Sequence, residues 1–170
     1  MQVEPGRILV VDDNRMNRLK LSRGLELQGH TVVVAEDGPQ ALALLASEAV
    51  DVVLLDIMMP DMDGFQVLER IKADPALRAL SVIMVSALDE MESIVKCVQM
   101  GAEDYLLKPF DPVLLRTRLD ACLERLRLRA TVARQRAFIR ATLGDELSED
   151  RLDSLIEHQA SVSPGRNDRD

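Results

Sequence analysis

Five side chains that could do chemistry each follow or end a short apolar run, and three of them are carboxylates. In chain order they are Asp12, Asp13, Asp56, Ser86 and Lys108. Carboxylates that are held close together repel one another, so a cluster of three needs a cation to compensate its charge. Oxygen ligands that leave room for water favour Mg²⁺ over a fully enclosed Ca²⁺ ion. These residue types therefore predict a Mg²⁺ site with a hydroxyl and an ammonium group beside it.

A carboxylate beside a magnesium ion can act as a nucleophile toward phosphorus. The ion would neutralise the oxygens of an incoming phosphoryl group while the carboxylate attacks it. Lys108 and the hydroxyl of Ser86 would hold the remaining phosphate oxygens. An aspartate after a strand is also a common turn former or helix N-cap, and this alternative stays open for any one position alone. It does not account for all five residues together, so the set favours acyl-phosphate chemistry on an aspartate.

Short runs of β-branched residues alternate with segments of helical length, a pattern typical of a parallel α/β sheet. The predicted strands are Ile8–Val11, Thr31–Ala35, Val52–Leu55, Val82–Val85 and Tyr105–Leu107. Their nearly continuous apolar character predicts strands that are covered on both faces. Apolar residues recur at helical spacing between them, including Met16 with Leu19 and Val95 with Val98. We therefore predict an α/β fold, a flavodoxin-like doubly wound sheet of five parallel strands, in which the five side chains converge at the carboxyl edge.

The chain after Pro112 has no strand pattern and is predicted to form an extended C-terminal helix. Leucine and alanine residues recur there at the 4-3-4-3-4 spacing of a coiled-coil seam, at Leu119, Leu123, Leu126, Ala130, Ala133 and Ala137. Because alanine packs more weakly than leucine, we expect a conditional homodimer through residues 115–137. The predicted divisions are a tail at 1–6, a globular domain at 7–125, a projecting helix at 126–143, a short helical segment at 144–160 and a disordered tail at 161–170.

Charge and hydropathy exclude several classes of function. The net charge of −8 divides into −9 for residues 1–112, +6 for 113–140 and −5 for 141–170. An acidic body disfavours binding to phosphate backbones, and the arginines of the basic stretch lack interleaved aromatic residues, so nucleic-acid binding is not expected. No apolar run reaches the ~18 residues that a membrane span requires, and the N-terminus does not resemble a secretory signal. We therefore expect no membrane contact and a cytoplasmic location.

Two cysteines, Cys97 and Cys122, fit no metal-ligand spacing. In a reducing cytosol they are expected to be packed or free thiols rather than a disulfide. The sequence also lacks the glycine-rich phosphate loops G-x-x-x-x-G-K-[ST] and G-x-G-x-x-G. A nucleotide hydrolase is therefore not indicated.

Four segments resemble the receiver domain of two-component response regulators, and the resemblance covers about residues 7–125. The segments are Val10–Asn14, Leu54–Gly64, Val85–Ala87 and Tyr105–Phe110. The resemblance implies that Asp56 accepts a phosphoryl group from a histidine kinase or a phosphotransfer protein, with Mg²⁺ as the cofactor. It further implies that Asp56, Asp13 and the backbone carbonyl of Met58 bind the ion directly, and that Asp12 binds it mainly through water.

The same resemblance implies roles for residues of the last two strands. Lys108 would pair with the phosphate, Ser86 would be the switch hydroxyl, and the backbone N–H of Ala87 would lie beside the phosphate. Tyr105 matches an aromatic residue that turns inward on activation, and Pro109 matches a cis peptide of the family. The expected protein is not an enzyme, because it catalyses only its own phosphorylation and dephosphorylation. Its signal would pass through the surface of the fourth helix, fifth strand and fifth helix to an unknown output protein.

Residues 138–150 also resemble the linker that precedes the catalytic domain in receiver-linked class III nucleotide cyclases, although the usual aromatic residue after Gly144 is absent. About 20 residues remain after this segment, and no cyclase catalytic domain follows in them. Two alternatives therefore stay open beside the phosphorylated regulator. One is a constitutive dimerisation or adaptor module, and the other is the regulatory part of a truncated receiver–cyclase.

Overall fold

The structure, a computed structural model, describes residues 4–143, in which five strands alternate with five helices. The strands are β1 (Arg7–Val11), β2 (Thr31–Ala35), β3 (Val52–Leu55), β4 (Ser81–Ser86) and β5 (Asp104–Leu107). The helices are α1 (Arg15–Leu27), α2 (Gly38–Ser47), α3 (Gly64–Ala73), α4 (Met91–Gln99) and α5 (Pro112–Leu143). All strand pairs are parallel, in the order β2-β1-β3-β4-β5. The predicted doubly wound α/β fold is confirmed.

The three central strands form the buried part of the sheet. Every residue of β3 and β4 is buried, as are the last four residues of β1. The edge strands differ, because Val34 on β2 and Leu107 on β5 are each 43% exposed. An edge strand has only one neighbouring strand and is not covered along its whole length. The prediction that the strands are covered on both faces is therefore wrong for the two edges.

Helix α3 begins at a capping box and buries one complete face. The side chain of Asp63 accepts a hydrogen bond from the backbone N–H of Gln66, and the backbone N–H of Asp63 donates to the side chain of Gln66. Val67, Leu68 and Ile71 are fully buried in the main hydrophobic core. The capping box and the buried side chains therefore hold α3 firmly against the sheet.

Helix α4 lacks a side-chain cap and buries much less. Cys97 is its one buried residue, whereas Val95 is 43% and Val98 60% exposed. On α1, Met16 and Leu19 are also exposed. The apolar spacing predicted these helices, and the structure shows that it does not mark a buried face at these four residues. Periodicity identifies an apolar face without showing whether another element covers it.

Helix α5 is 32 residues long, and the chain divides into two units after Glu124. In the first unit, Leu119 and Leu123 of the predicted coiled-coil seam are buried. A homodimer through this helix could therefore use only the seam positions from Leu126 onward. The residues predicted as a short helical segment and a disordered tail, 144–170, lie outside the described residues. Between residues 4 and 143, no helix has both the length and the apolar character that crossing a bilayer requires.

Candidate functional site

The register of the sheet brings the predicted acidic residues together. Strand β1 lies beside β3 with Val11 opposite Leu55, so the residues that follow these two leave the sheet side by side. Those residues are Asp12 and Asp56, and the backbone N–H of Asp56 donates to the carbonyl of Val11 at 2.9 Å. Asp13 follows in the turn that leads to α1. Two neighbouring strands thus deliver three carboxylates to one edge of the sheet.

The carboxylates of Asp12, Asp13 and Asp56 form a cluster in which one oxygen of each lies within 4.8 Å of the others. Asp12 and Asp56 are buried, whereas Asp13 is exposed. Burial of two carboxylates is costly unless a positive charge compensates them. Oxygen ligands at this spacing suit a hard cation with room for water. The donor set therefore fits the predicted Mg²⁺ site, with its open side at Asp13.

Lys108 supplies a positive charge to this cluster. Its ammonium Nζ lies 2.7 Å from Oδ2 of Asp12 and 3.5 Å from Oδ1 of Asp56. The backbone N–H of Lys108 donates to the carbonyl of Ser86 at 2.8 Å, which fixes the lysine beside the end of β4. The Lys108–Pro109 peptide bond is cis, as the resemblance implied. One ammonium cannot neutralise three carboxylates, so the site retains negative charge that a divalent cation would compensate.

Burial raises the pKa of Asp56 from its ordinary value of 3.8 to about 6. The ammonium of Lys108 lowers this pKa, and so does a backbone hydrogen bond from Met58, to a smaller extent. The negative charges of Asp12 and, less strongly, Asp13 raise it. At pH 7 the ionised carboxylate still exceeds the protonated form by roughly ten to one. The carboxylate form of Asp56 therefore predominates at neutral pH.

Asp12 is held by the N-cap residue of α1 and by two residues of the helix, and these contacts were not predicted from the sequence. The side-chain amide of Asn17 donates to its carboxylate oxygens at 3.2 and 3.4 Å, and the backbone N–H of Asn14 donates to Oδ1 at 2.8 Å. The guanidinium of Arg18 donates to the backbone carbonyls of Asp12 and Asp13 at 2.7 and 3.0 Å. The sequence did contain a signal for these contacts. Asn14 is a typical N-cap residue, and polar residues one turn after an N-cap lie on the side of the helix that faces the preceding loop.

A glycine lets α3 begin directly against the backbone of the central aspartate. A Cβ atom at Gly64 would lie 2.3 Å from the carbonyl oxygen of Asp56 and 2.7 Å from Cα of Ile57. The backbone N–H of Gly64 donates to the carbonyl of Ile57 at 2.8 Å. Only a residue without a side chain permits such a close approach. The conformation after β3 is therefore fixed by backbone contacts with α3.

The predicted switch residues, Ser86 and Tyr105, both contact the loop after β4. The hydroxyl of Tyr105 donates to the carbonyl of Leu88 at 2.5 Å, and Oγ of Ser86 accepts from the N–H of Leu88 at 3.4 Å. Burial raises the pKa of the Tyr105 phenol, and a hydrogen bond with Ser86 opposes that rise. Ala87 is exposed between Ser86 and Leu88. One loop therefore connects the two side chains.

A cleft of about 250 Å³ beside the carboxylate cluster has an acidic rim. Asp13, Glu36, Asp37 and Asp61 contribute to its lining. Asp61 has a φ of 65°, in the left-handed region that few residues other than glycine adopt. Glu36 and Asp37 follow β2, and their position beside the cluster was not predicted from the sequence. The rim gives the open side of the site a negative potential that would attract cations.

Comparison with known proteins finds a matching family and several similar proteins. Residues 8–120 match the family described as response regulator receiver domain. Response regulator PleD of Caulobacter vibrioides is 42% identical over 130 residues, which make up 76% of this chain and 28% of PleD. Response regulator MprA of Mycolicibacterium vanbaalenii is 41% identical over 121 residues, which make up 71% of this chain and 52% of MprA. The chain thus spans about a quarter to a half of the length of these relatives.

The fold has a close counterpart among solved structures. The CheY-like response regulator receiver domain protein of Methanospirillum hungatei matches with a TM-score of 0.70 and 28% identity, over 74% of this chain and 99% of that chain. The matched family region contains β1 from Ile8 onward, the other four strands and the carboxylate cluster. This chain therefore belongs to the response regulator receiver domain family.

Proposed function

We propose that this chain is a phosphorylation-controlled regulator in which Asp56 accepts a phosphoryl group from a histidine kinase or a phosphotransfer protein. Membership in the receiver family supports the two-component role. The observation that most supports the chemistry is the cluster of three carboxylates within 4.8 Å of one another, with the ammonium of Lys108 2.7 Å from Asp12. A cytoplasmic location is part of the same proposal.

In the proposed step, an oxygen of the Asp56 carboxylate attacks the phosphorus of a phosphohistidine. An O–P bond forms, the N–P bond breaks, and the imidazole leaves with its electron pair and takes a proton from solvent. Mg²⁺, when bound, would neutralise charge on the phosphoryl oxygens. Lys108, the hydroxyl of Ser86 and the N–H of Ala87 would each hold a phosphate oxygen.

We assign Asp13, Asp56 and the backbone carbonyl of Met58 as direct Mg²⁺ ligands, and Asp12 as a ligand mainly through water. The exposure of Asp13 supports its direct role, because a partly hydrated ion can reach it from solvent. The oxygens of Asp12 already accept hydrogen bonds from Asn17, which supports an indirect role.

The output is proposed to pass through the 4-5-5 face, formed by α4, β5 and the first turns of α5. This face exposes apolar side chains, at Met91, Val95, Val98, Leu107, Val113 and Leu114. Such exposed apolar surface is characteristic of a protein contact site. A phosphate on Asp56 would draw the Ser86 hydroxyl toward it. This movement would change the conformation of the loop after β4, where the hydroxyl of Tyr105 donates a hydrogen bond to Leu88. A bias of about 1–3 kcal/mol would change the population of a partner-binding state by about 5- to 150-fold.

Intact-mass measurement after incubation with a small acyl phosphate tests the chemistry. The wild-type chain with Mg²⁺ is expected to gain one phosphoryl group, and Asp56→Asn is expected to gain none. Asp61→Asn is a matched control, because it removes an exposed carboxylate from the loop that follows the same strand and is expected to keep the labelling. Stoichiometric labelling of Asp56→Asn, or labelling that needs no divalent ion, would show that the assignment is wrong.

A further inference from the structure

A cation–π contact joins α4 to α3. The ammonium Nζ of Lys96 on α4 lies 4.0 Å from the centroid of the Phe65 ring on α3. The face of an aromatic ring carries partial negative charge, so a cation at this distance is attracted to it. Phe65 is partly buried and packs against the main hydrophobic core, whereas Lys96 is exposed. A side chain of the weakly held helix thus contacts a ring that the core holds in place.

The contact with the ring is separate from the other interactions that suit Lys96 at its position. Glu92 lies four residues earlier on α4, at the spacing where a glutamate and a lysine can pair on one helix. Among the salt bridges of residues 4–143, however, none includes Lys96. Lys96 also lies in the last turn of α4, where a positive charge is favourable to the helix dipole. That contribution does not depend on Phe65, so the two can be separated by experiment.

The aromatic partner lies beside the proposed phosphoacceptor. Phe65 directly follows Gly64, whose Cβ position is 2.3 Å from the backbone carbonyl oxygen of Asp56. On the other helix, Lys96 precedes Cys97, the one buried residue of α4. The contact therefore connects α4, next to its buried residue, with the turn of α3 that meets the backbone of Asp56.

A contact of modest strength matters on a helix that buries so little. Helix α4 has no side-chain cap, and its apolar residues Val95 and Val98 are exposed. Elements with few buried residues open at a low cost in free energy. A cation–π contact at an exposed site changes an equilibrium by about two- to fivefold. On α4 such a factor is a substantial part of what keeps the helix in place.

We propose that the Lys96–Phe65 contact is a latch that holds α4 in its resting position and limits how readily the 4-5-5 face changes. A shift of α4 relative to α3 moves the ammonium off the ring, so the released position of α4 lacks the contact. Lys96 is therefore a positioning residue, since it acts through α4. The signalling part of this inference rests on the proposed function, because a phosphoryl group on Asp56 would favour the released position against the latch.

Hydrogen–deuterium exchange of the α4 amides in the full, metal-free chain tests the latch. Lys96→Gln removes the positive charge and is expected to speed their exchange by about two- to fivefold. In a chain that carries Phe65→Leu, the same lysine change is expected to have a clearly smaller effect, because no ring is left to contact. This double-mutant cycle isolates the part of the effect that depends on the ring.

Two further variants are matched controls. Lys96→Arg keeps a cation that stacks on aromatic rings, and it is expected to retain the exchange rates of the wild type. Lys20→Gln removes the same charge from an exposed lysine on α1 and is expected to leave exchange in α4 unchanged. Exchange in α3 is expected to be the same in Lys96→Gln and wild type, which shows that the effect is local.

Binding of beryllofluoride to the Mg²⁺-loaded chain, followed by fluorine NMR, tests the signalling part. A ligand that selects the released position binds more tightly once the latch is gone. Lys96→Gln is therefore expected to raise the affinity for beryllofluoride by the same two- to fivefold. An affinity equal to that of the wild type would show that the latch is not coupled to the site at Asp56.

Two results of the exchange experiment would overturn the latch itself. They are unchanged exchange of α4 in Lys96→Gln, and an equal effect of this change with and without the Phe65 ring. The exchange experiment needs neither Mg²⁺ nor phosphate. A chain that shows the latch but takes up no phosphoryl group on Asp56 would contradict the proposed function alone, so the two failures are distinct.

Discussion

Helices α3 and α4 have almost the same length, 10 and 9 residues, but they are held very differently. Helix α3 begins at a capping box, buries four residues and approaches the backbone of Asp56 through Gly64. Helix α4 has no side-chain cap and buries only Cys97. The proposed phosphoacceptor therefore rests on a fixed element, whereas the proposed output face includes an element with few buried residues. Elements of the second kind are those that can rearrange at low cost.

The largest expected effect comes from adding one methyl group where α3 meets the site. Gly64→Ala would place a Cβ 2.3 Å from the carbonyl oxygen of Asp56, a backbone atom that cannot move aside easily. We expect a loss of about 3 kcal/mol in the free energy of unfolding, measured in urea. Gly24→Ala on α1 is the matched control, since nothing lies within 4 Å of its Cβ position. It is expected to stabilise by about 0.5–1 kcal/mol. Equal effects of the two changes would show that the approach at Gly64 is not tight.

The second expected effect concerns the pH dependence of stability in the metal-free protein. The pKa of Asp56 rises from 3.8 to about 6 on folding, so between these pH values the folded state binds more protons than the unfolded state. The contribution of Asp56 to the free energy of unfolding therefore falls as pH rises from about 4 to 6 and stays low above pH 6. Asp56→Asn removes this penalty and should stabilise the metal-free chain at pH 7 by about 1–3 kcal/mol.

Thermal and urea unfolding of wild type and Asp56→Asn in a chelator, across pH 4–8, check this effect. The stability difference is expected to grow with pH through the window of titration and then to level off. Added Mg²⁺ should stabilise the wild type more than the variant, because the variant has lost one of the proposed ligands and binds the ion more weakly. A metal-free Asp56→Asn chain that is less stable than wild type at pH 7 would show that burial of this carboxylate is not the dominant cost.

A smaller effect compares the two helices directly through the same substitution. Val67→Ala on α3 removes methyl groups from a fully buried position and is expected to cost about 2 kcal/mol. Val98→Ala on α4 changes a side chain that is 60% exposed and is expected to change stability by less than about 0.5 kcal/mol. Urea unfolding of both variants measures the difference. A cost at Val98 as large as that at Val67 would mean that α4 is packed as firmly as α3.

The fold could be predicted because alternating strand and helix patterns are local properties of the sequence. The ends of the strands also gave the positions of the carboxylates, because parallel strands present these ends at one edge of the sheet. The exposure of Val95 and Met16 could not be predicted, since it depends on which elements lie opposite them. The contacts of Asn17 and Arg18 with the first acidic turn were also missed, because any exposed helix carries polar residues and their partners are set by the loop geometry.

The predicted seam on α5 shows the same limit. Its spacing is that of a coiled coil, yet Leu119 and Leu123 are buried within their own unit. A heptad pattern records an apolar face, and the partner of that face is decided by the rest of the chain. Only the later positions, from Leu126 onward, keep the question of a homodimer open to experiment.

The central claim is that a phosphoryl group on Asp56, which lies against the firmly packed α3, changes the weakly packed α4. Hydrogen–deuterium exchange in Mg²⁺, with and without the phosphate mimic beryllofluoride, tests this claim most directly. Asp56→Asn is the control, and it is expected to show no difference between the two conditions. In the wild type, exchange rates are expected to change in the loop that contains Leu88, in α4 and in β5, while those of α3 stay the same. Changes centred on α3, or no change in α4 and β5 while beryllofluoride is bound, would show that the difference between the two helices has no part in signalling.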